Sequence, residues 1–289
     1  MQRLIEKAGV LIEALPYIQQ FRDSIVVVKA GGSFMEDAQA LRGVLRDLVF
    51  MECAGMHPVL VHGGGKAINA RLKTENVETR FINGLRYTCA KTIQVVDEVL
   101  HKVVNAELVA IISEFGGKAR AVSGKNVLRA ERLQEKDEKG AAIDLGFVGR
   151  VVAVDTEQLQ WFTRREEIPV VTPLACDLGG QVYNINADMA ACVIAAELKA
   201  KKLVFLSDVP GILRDPKDPE TLISTIHRSE VDALIANGVV SGGMVPKLRS
   251  AVEAIAAGCQ KVHLIDGRIT HSLLLEIFTD QGIGTQITA

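Results

Sequence analysis

The sequence predicts an α/β fold built on a parallel sheet, and two observations carry that expectation. Short β-branched runs at 25–28 and 58–61 each end in a glycine turn that opens into a helical pattern, and the same rhythm returns after residue 198. Aromatic residues make up only 4% of the chain, so the core must be Val, Ile, Leu and Ala, which suits closely packed α/β layers.

Taken in order, residues 2–20 place Leu4, Ile5, Leu11, Ile12, Leu15 and Ile18 at helical spacing. Pro16 is expected to kink or break that helix. The segment reads either as a helix packed on its own domain or as an oligomerisation arm. The strand at 25–28 ends in Lys29-Ala30-Gly31-Gly32-Ser33, and a helix follows over about 36–54. The strand at 58–61 ends in His62-Gly63-Gly64-Gly65, with a helix from about Lys66. A helix is expected over 90–114 and a short strand near 119–123. The charged stretch 131–139 reads as a solvated loop or hairpin tip. Strand 148–154, helix 156–164 and strand 169–173 follow, and 181–185 is the returning arm of a hairpin turning at Gly179-Gly180. Helix 187–199 leads to strand 203–206 and the turn Ser207-Asp208-Val209-Pro210-Gly211; residues 215–219 form a surface loop. Helix 229–237 precedes Ser241-Gly242-Gly243, and helix 246–257 precedes strand 261–265. No low-complexity linker divides the chain, so two lobes meeting near residue 198 must share a sheet or pack closely.

Composition narrows the function. The net charge of −2 carries no basic excess for nucleic acid or an anionic membrane. The five cysteines are odd in number and none is spaced as CxxC, so they read as buried reduced thiols and not as a disulfide frame or zinc site. No metal-ligand motif of the HExxH type occurs. Charged residues interrupt the N-terminal apolar positions, against a signal peptide, and no uncharged run is long enough to span a bilayer. A cytoplasmic protein is expected. Neither phosphate-loop nor dinucleotide fingerprints appear: Gly65-Lys66 is followed by Ala67, Gly117-Lys118 by Ala119, and no GxGxxG follows a strand.

Other residues point to an anion site. Glycines at strand ends let backbone N–H groups approach an anion, and the next helix adds a favourable dipole. Gly31-Gly32 and Gly63-Gly64-Gly65 both sit so. Lys29 ends an apolar strand, either exposed by the turn or aimed into a site. Lys247 follows Gly242-Gly243-Met244-Val245-Pro246 at a helix start, where a cation opposes the dipole and wants an anion. Asn184, Asn186 and Asp188 precede another helix. Asn186 or Asp188 serves as an N-cap, while the alternate spacing would set all three on one side of an extended segment. Asp208 and Gly211 form a turn after a strand that could cradle a nucleotide. Arg86 is a candidate fork for a carboxylate, although position alone reads as an exposed arginine.

In order and spacing these pieces resemble the amino-acid kinase family over nearly the whole chain, and within it the N-acetylglutamate kinases. The stretches that carry the resemblance are Val59 to Gly65, Asn83-Gly84-Leu85-Arg86, Asp144 to Gly149, Tyr183 to Asp188, and Ser241 to Lys247. The resemblance implies a three-layer αβα sandwich with a central, mostly parallel sheet. It implies ATP-dependent phosphorylation of the γ-carboxylate of N-acetyl-L-glutamate, an early step of arginine biosynthesis, with Mg²⁺ accompanying ATP and no protein-held metal. By the same resemblance Gly64, Gly65, Arg86 and Asn184 hold the acetylated amino acid, Lys29 and Lys247 stabilise the transferring phosphoryl, and Asp188 orients them. Gly31, Gly32, Asp208, Gly211, Leu213, Gly243 and Met244 would contact the nucleotide. It further implies an oligomerisation helix at 1–22, a substrate and dimerisation lobe at 23–197, and an ATP lobe at 198–289. Residues 1–22 are similar to the extra helix of arginine-inhibited hexamers built as trimers of dimers. Residues 273–280 with Gly282 and Gly284 resemble their effector region, making Tyr17, Glu276 and Gly282 candidate contacts for L-arginine. A PII-type signalling protein, bound by some relatives, is a further partner.

The chain has Lys29-Ala30-Gly31-Gly32-Ser33-Phe34 where the commoner family pattern has Tyr after the lysine and Asn after the glycines, and it has a shortened loop after Ser123-Gly124-Lys125-Asn126. Both departures lie near the substrate lobe. The rival readings are another kinase of this fold, acting on carrier-linked aminoadipate, aspartate, glutamate, carbamate or UMP, and a non-catalytic arginine sensor.

Overall fold

The computed structural model describes residues 1–136, 140–279 and 282–289. Helix α1 (Gln2–Phe21) leads into β1 (Ile25–Ala30), a 3-10 turn (Ser33–Glu36) and α2 (Ala38–Cys53); β2 (His57–His62) leads into α3 (Gly65–Thr74). The hairpin of β3 (Phe81–Ile82) and β4 (Leu85–Arg86) precedes α4 (Ala90–Glu98) and α5 (Ala106–Glu114). A π-helical stretch, Val99–Asn105, joins those two helices. Next come β5 (Ala119–Val122), α6 (Gly124–Val127), β6 (Leu128–Arg132), β7 (Glu135–Lys136), β8 (Ala142–Ile143) and β9 (Gly149–Val154). Then follow α7 (Thr156–Thr163), β10 (Ile168–Val171), β11 (Leu174–Cys176), β12 (Val182–Asn184), α8 (Ala187–Glu197) and β13 (Lys202–Ser207). The chain ends with β14 (Thr225–His227), α9 (Val231–Ala236), α10 (Met244–Ala256), β15 (Lys261–Asp266), α11 (Ser272–Ile277) and β16 (Thr285–Thr288).

Eight strands form the central sheet in the order β14-β16-β15-β13-β1-β2-β10-β5. Every pairing in it is parallel except β15 with β16. The sheet runs unbroken past residue 198, because β13 pairs directly with β1. A four-stranded sheet, β12-β11-β6-β9, stands beside it. The expected hairpin about Gly179-Gly180 is the antiparallel pair β11–β12.

Central strands are buried on both faces, which is why they read as continuous apolar runs. In β1, Val27 packs with Ala190, Ile194 and Leu248 of α8 and α10. Its neighbours Val26 and Val28 point the other way, onto Leu45 and Leu48 of α2 and Ile112 of α5. This alternation produces the three layers.

Several expectations need correction. Helix α1 passes through Pro16 unbroken, although the ring removes the N–H that would bond the Ile12 carbonyl. Only Cys192 and Cys259 are buried; all five thiols are free, and Cys53 is exposed. The 90–114 segment is helical throughout but carries the π-helical stretch at its middle. For the 131–139 stretch the hairpin alternative holds, not the loop: β6 runs to Arg132 and β7 pairs antiparallel with β8. Residues 137–139 of that stretch lie outside the described residues, as does Asp280 of the predicted effector region.

Candidate active site

Three charged side chains from distant parts of the sequence meet at the carboxyl ends of the parallel strands. Lys29 is the fifth residue of β1, Asp188 lies in the first turn of α8, and Lys247 lies in the first turn of α10. Lys29 Nζ is 2.7 Å from Asp188 Oδ1, and Lys247 Nζ donates to Asp188 Oδ2 at 2.6 Å. Lys29 is therefore aimed inward, only 8% exposed. Asn186, not Asp188, caps α8: its Oδ1 accepts from the Asp188 and Met189 amides at 2.9 and 3.2 Å. This corrects the expectation of three polar residues along one extended face, because the chain turns helical at Ala187 and leaves Asp188 free for the lysines.

Burial pushes the Asp188 carboxyl up, but the two ammoniums outweigh it and hold the group down to about 2. Burial also lowers Lys29, with Asp188 pulling it back up and Lys247 pushing it further down. Lys247 Nζ additionally stands 4.7 Å over the Phe205 ring. Two ammoniums against one carboxylate leave one positive charge in excess, which an arriving anion would neutralise. Gly31 is what lets Lys29 fold back, since a Cβ there would lie 2.1 Å from its Nζ.

Beside this cluster is a cavity of about 520 Å³ lined by Gly32, Ser33, Gly64, Gly65, Arg86 and Asp208 among others. Helix α3 begins at Gly65 with Gly64 before it, so the first amides point out without helical acceptors. Gly64 has no room for a side chain: an added Cβ would sit 2.6 Å from Leu100 Cδ2. Arg86 is 7% exposed, against the exposed reading of its position. Its Nη2 donates to Gly65 O at 3.2 Å and its guanidinium lies 4.8 Å from the Phe81 ring centre, while Nη1 is buried without a hydrogen-bond partner. Burial lowers its pKa. A buried guanidinium with an unused donor has the chemistry to pair with a carboxylate. Asn184 does not line this cavity. Its amide donates to Thr88 Oγ1 at 3.2 Å, and Thr88 Oγ1 donates to Arg86 O at 2.8 Å, so Asn184 braces the arginine's strand.

Of the predicted nucleotide residues, Gly31 and Gly32 follow β1, and Asp208, Gly211, Leu213, Gly243 and Met244 follow β13. Asp208 Oδ2 accepts from Ser33 Oγ at 2.6 Å, which holds its carboxyl below the usual range and ties it to the turn after β1. Gly211 has a φ of 147° and lies where a Cβ would come within 2.5 Å of Thr285 Oγ1. The same hydroxyl accepts the Ile212 amide at 2.8 Å, and Leu213 forms a bridge with Leu222. Gly243 immediately precedes α10 and Met244 starts it, with open space around Gly243. Among the described residues no group of three or more His, Cys, Asp or Glu converges as a metal site.

A second polar cavity, about 310 Å³, is lined by Tyr17, Lys202, His263, Glu276 and Gly282, so the three predicted effector residues do share one site. His263 Nδ1 bonds Glu276 Oε1 at 2.5 Å, and Glu276 Oε2 accepts the Ile283 amide at 2.8 Å. Burial pushes Glu276 up, but His263 and the Ile283 amide overcome it and the net shift is down. Burial lowers His263, and it lowers Lys202 to about 8. Gly282, at φ 63°, would place a Cβ 2.9 Å from both Glu276 oxygens. The sequence does not single out Lys202, His263 or Asn105, and His62 enters it only as part of the glycine turn; all four are buried polar residues.

Comparison with known proteins bears on this geometry. Residues 24–266 match the Amino acid kinase family. The chain is 48% identical to the acetylglutamate kinase of Akkermansia muciniphila, over 99% of this chain and 96% of that protein. Among solved structures it is similar to N-acetylglutamate synthase from Neisseria gonorrhoeae complexed with coenzyme A and N-acetyl-glutamate, at TM-score 0.85 and 26% identity. That match covers 98% of this chain and 63% of the synthase. A second structure of that synthase, complexed with coenzyme A and L-arginine, superposes at TM-score 0.80, also 26% identical, over 97% of this chain and 65% of that one.

Proposed function

The chain belongs to the amino acid kinase family, and from that premise we propose that it transfers the γ-phosphoryl group of ATP to the side-chain carboxylate of N-acetyl-L-glutamate. The observation that carries this reading is the Lys29–Asp188–Lys247 cluster beside a cavity holding a buried arginine with an unused donor. An acceptor carboxylate is already ionised at pH 7, so the reaction needs no general base. Its difficulty is an anion attacking a polyanion. The excess positive charge of the two lysines offsets that repulsion, and the outward amides at Gly64 and Gly65 add fixed dipoles. Asp188 keeps two like charges close enough to act on one phosphoryl group. Arg86 would hold the acceptor's α-carboxylate, with Asn184 bracing its strand. Gly31, Gly32, Asp208, Gly211, Leu213, Gly243 and Met244 would receive ATP, and Mg²⁺ on its phosphates would neutralise part of their charge. Residues 23–197 would thus form the acceptor lobe and 198–289 the nucleotide lobe.

The finer reading extends to regulation. The second cavity presents a Glu276 carboxylate beside a histidine that burial keeps neutral, chemistry suited to a guanidinium. The arginine complex of the similar synthase supports L-arginine as its ligand. On α1, Leu4, Ile5, Leu11 and Ile12 are each more than half exposed, which supports a homo-oligomer interlaced by residues 1–22, expected to be a hexamer. Free thiols support a cytoplasmic setting, and among the described residues no helix is long and apolar enough to cross a membrane. A PII-type protein remains a candidate partner. The test is ADP release from Mg-ATP with N-acetylglutamate, glutamate, aspartate and carbamate as acceptors. Turnover with the acetylated acceptor alone supports the assignment, and turnover with any other in its place rejects it. Deleting residues 1–20 should dissociate the hexamer and weaken arginine inhibition; a deletion variant still hexameric and equally sensitive contradicts the regulatory reading.

A further inference from the structure

The glycine turn after β2 is held from beneath by two buried polar side chains that the mechanism has not used. His62 and Asn105 are both 0% exposed. His62 Nδ1 lies 2.8 Å from Gly63 O, and its Nε2 lies 3.0 Å from Asn105 Nδ2. Asn105 Nδ2 also donates to Val170 O at 2.8 Å. Each of these groups costs free energy to bury unless bonded.

The bonds fix the protons. Val170 O only accepts, so the amide nitrogen of Asn105 must face it. That same nitrogen meets His62 Nε2, which must then accept. The imidazole proton therefore sits on Nδ1 and is donated to the Gly63 carbonyl. Burial, with a smaller push from His101 and against the Gly63 bond, holds the ring neutral, its pKa lowered to about 4, so this tautomer persists at neutral pH.

The consequence reaches the next residue through the peptide plane. The Gly63–Gly64 peptide is trans, like every other described bond in the chain. Pinning its carbonyl toward His62 therefore turns the Gly64 N–H to the opposite side. Gly63 is held from its other end as well, its amide donating to Ala30 O at 2.8 Å. The same π-helical stretch that delivers Asn105 also delivers Leu100, whose Cδ2 crowds Gly64. A π-turn is a costly local geometry that recurs at functional sites, and here it sets both contacts.

We propose that His62 and Asn105 are positioning residues for phosphoryl transfer, fixing the Gly63–Gly64 peptide so that the Gly64 amide faces the reacting anion. The inference rests on the reading of Gly64 given above. A correctly aimed amide acts on charge that develops in the transition state, so its loss should lower kcat and leave KM nearly unchanged.

The experiment compares His62→Leu, His62→Asn and Gly64→Ala in the full chain, with kcat and both KM values taken on protein shown to be folded by thermal melting. His62→Leu removes the donor to Gly63; the side-chain amide of His62→Asn can replace it. His62→Leu should lose about 10²-fold in kcat with KM within about twofold, and His62→Asn should recover most of that loss. Folded His62→Leu with wild-type kcat, beside an impaired Gly64→Ala, overturns the positioning role alone. Wild-type kcat in Gly64→Ala overturns the reading of the turn and this inference with it. Equal loss in both His62 variants, explained by lowered melting temperature with kcat per folded molecule unchanged, also overturns it. Should His62→Leu fail to fold, Asn105→Leu carries the test: a lowered kcat at constant KM supports the role, and an unchanged kcat refutes it.

Discussion

Two buried clusters in this protein have the same ingredients and opposite tasks. Lys29–Asp188–Lys247 and Lys202–His263–Glu276 each combine a carboxylate with two basic side chains. In the first, both bases are lysines, and both are spent on the one carboxylate. In the second, Lys202 donates to the Glu276 main-chain carbonyl, and His263 is a base that burial discharges. The first cluster is left with a surplus of positive charge and suits a polyanion. The second keeps its carboxylate charge uncompensated by its nearest base and suits a cation. On the proposed reading, the same residue types would serve a phosphoryl group in one cluster and a guanidinium in the other, according to which base stays charged.

The sharpest way to break this contrast is to remove the carboxylate of the first cluster. Asp188→Ala strands two buried ammoniums, which should cost about 3–5 kcal/mol of stability and reduce kcat by about 10³-fold. Urea melts and ADP release would report the two effects separately. A stable, active variant would mean the lysines do not depend on Asp188.

Titration separates the clusters next. Asp188 is held at about 2 against an ordinary 3.8. Its contribution is complete above the ordinary value and is lost as pH falls through about 2, a loss of roughly 2 kcal/mol. Lys202 works at the other end, held at about 8 against 10.5. Over that window the unfolded chain binds the extra proton, so this group makes stability rise with pH. Against wild type, Asp188→Asn should lose the acid slope and Lys202→Met its share of the alkaline slope, with Lys29, also lowered by burial, supplying the rest. Unchanged slopes would mean the clusters are more hydrated than their burial implies.

Smaller effects sharpen the picture. Gly31→Ala places a methyl where the Lys29 ammonium lies, and displacing that charge should lower kcat by about 10–100-fold. Wild-type kcat would show that Lys29 has another route to Asp188. Glu276→Gln should weaken arginine inhibition by about tenfold while leaving uninhibited kcat unchanged. Retained sensitivity would place the effector elsewhere.

How legible this was in the sequence follows from which interactions are local. The parallel sheet was readable because β-branched runs ending in glycine turns report their own strands and turns. Lys29 and Lys247 stood out as charges set against apolar or dipolar surroundings. Which carboxylate joins them comes from the family resemblance and not from spacing, because 29, 188 and 247 meet only through the packing of α8 and α10 against β1 and β13. The Asn184–Asp188 block was misjudged for a local reason: Asn186 takes the cap and starts a helix two residues before an extended reading would end. Arg86 looked exposed because its burial depends on Phe81 and Gly65 across a turn. The pairing of His62 with Asn105 has no sequence signal, because the two are 43 positions apart and meet only in the fold. Strands β14 and β16 were missed because each is too short to show a period of its own.

The most direct test of the central claim is the single-turnover rate of phosphoryl transfer from Mg-ATP to N-acetylglutamate in wild type and Lys247→Ala. If the lysine pair offsets the charge of the transferring group, the mutant rate falls about 10²–10³-fold while N-acetylglutamate still binds through Arg86. A mutant rate within a few-fold of wild type would contradict the account, because the surplus positive charge that distinguishes this cluster would then play no part in the reaction.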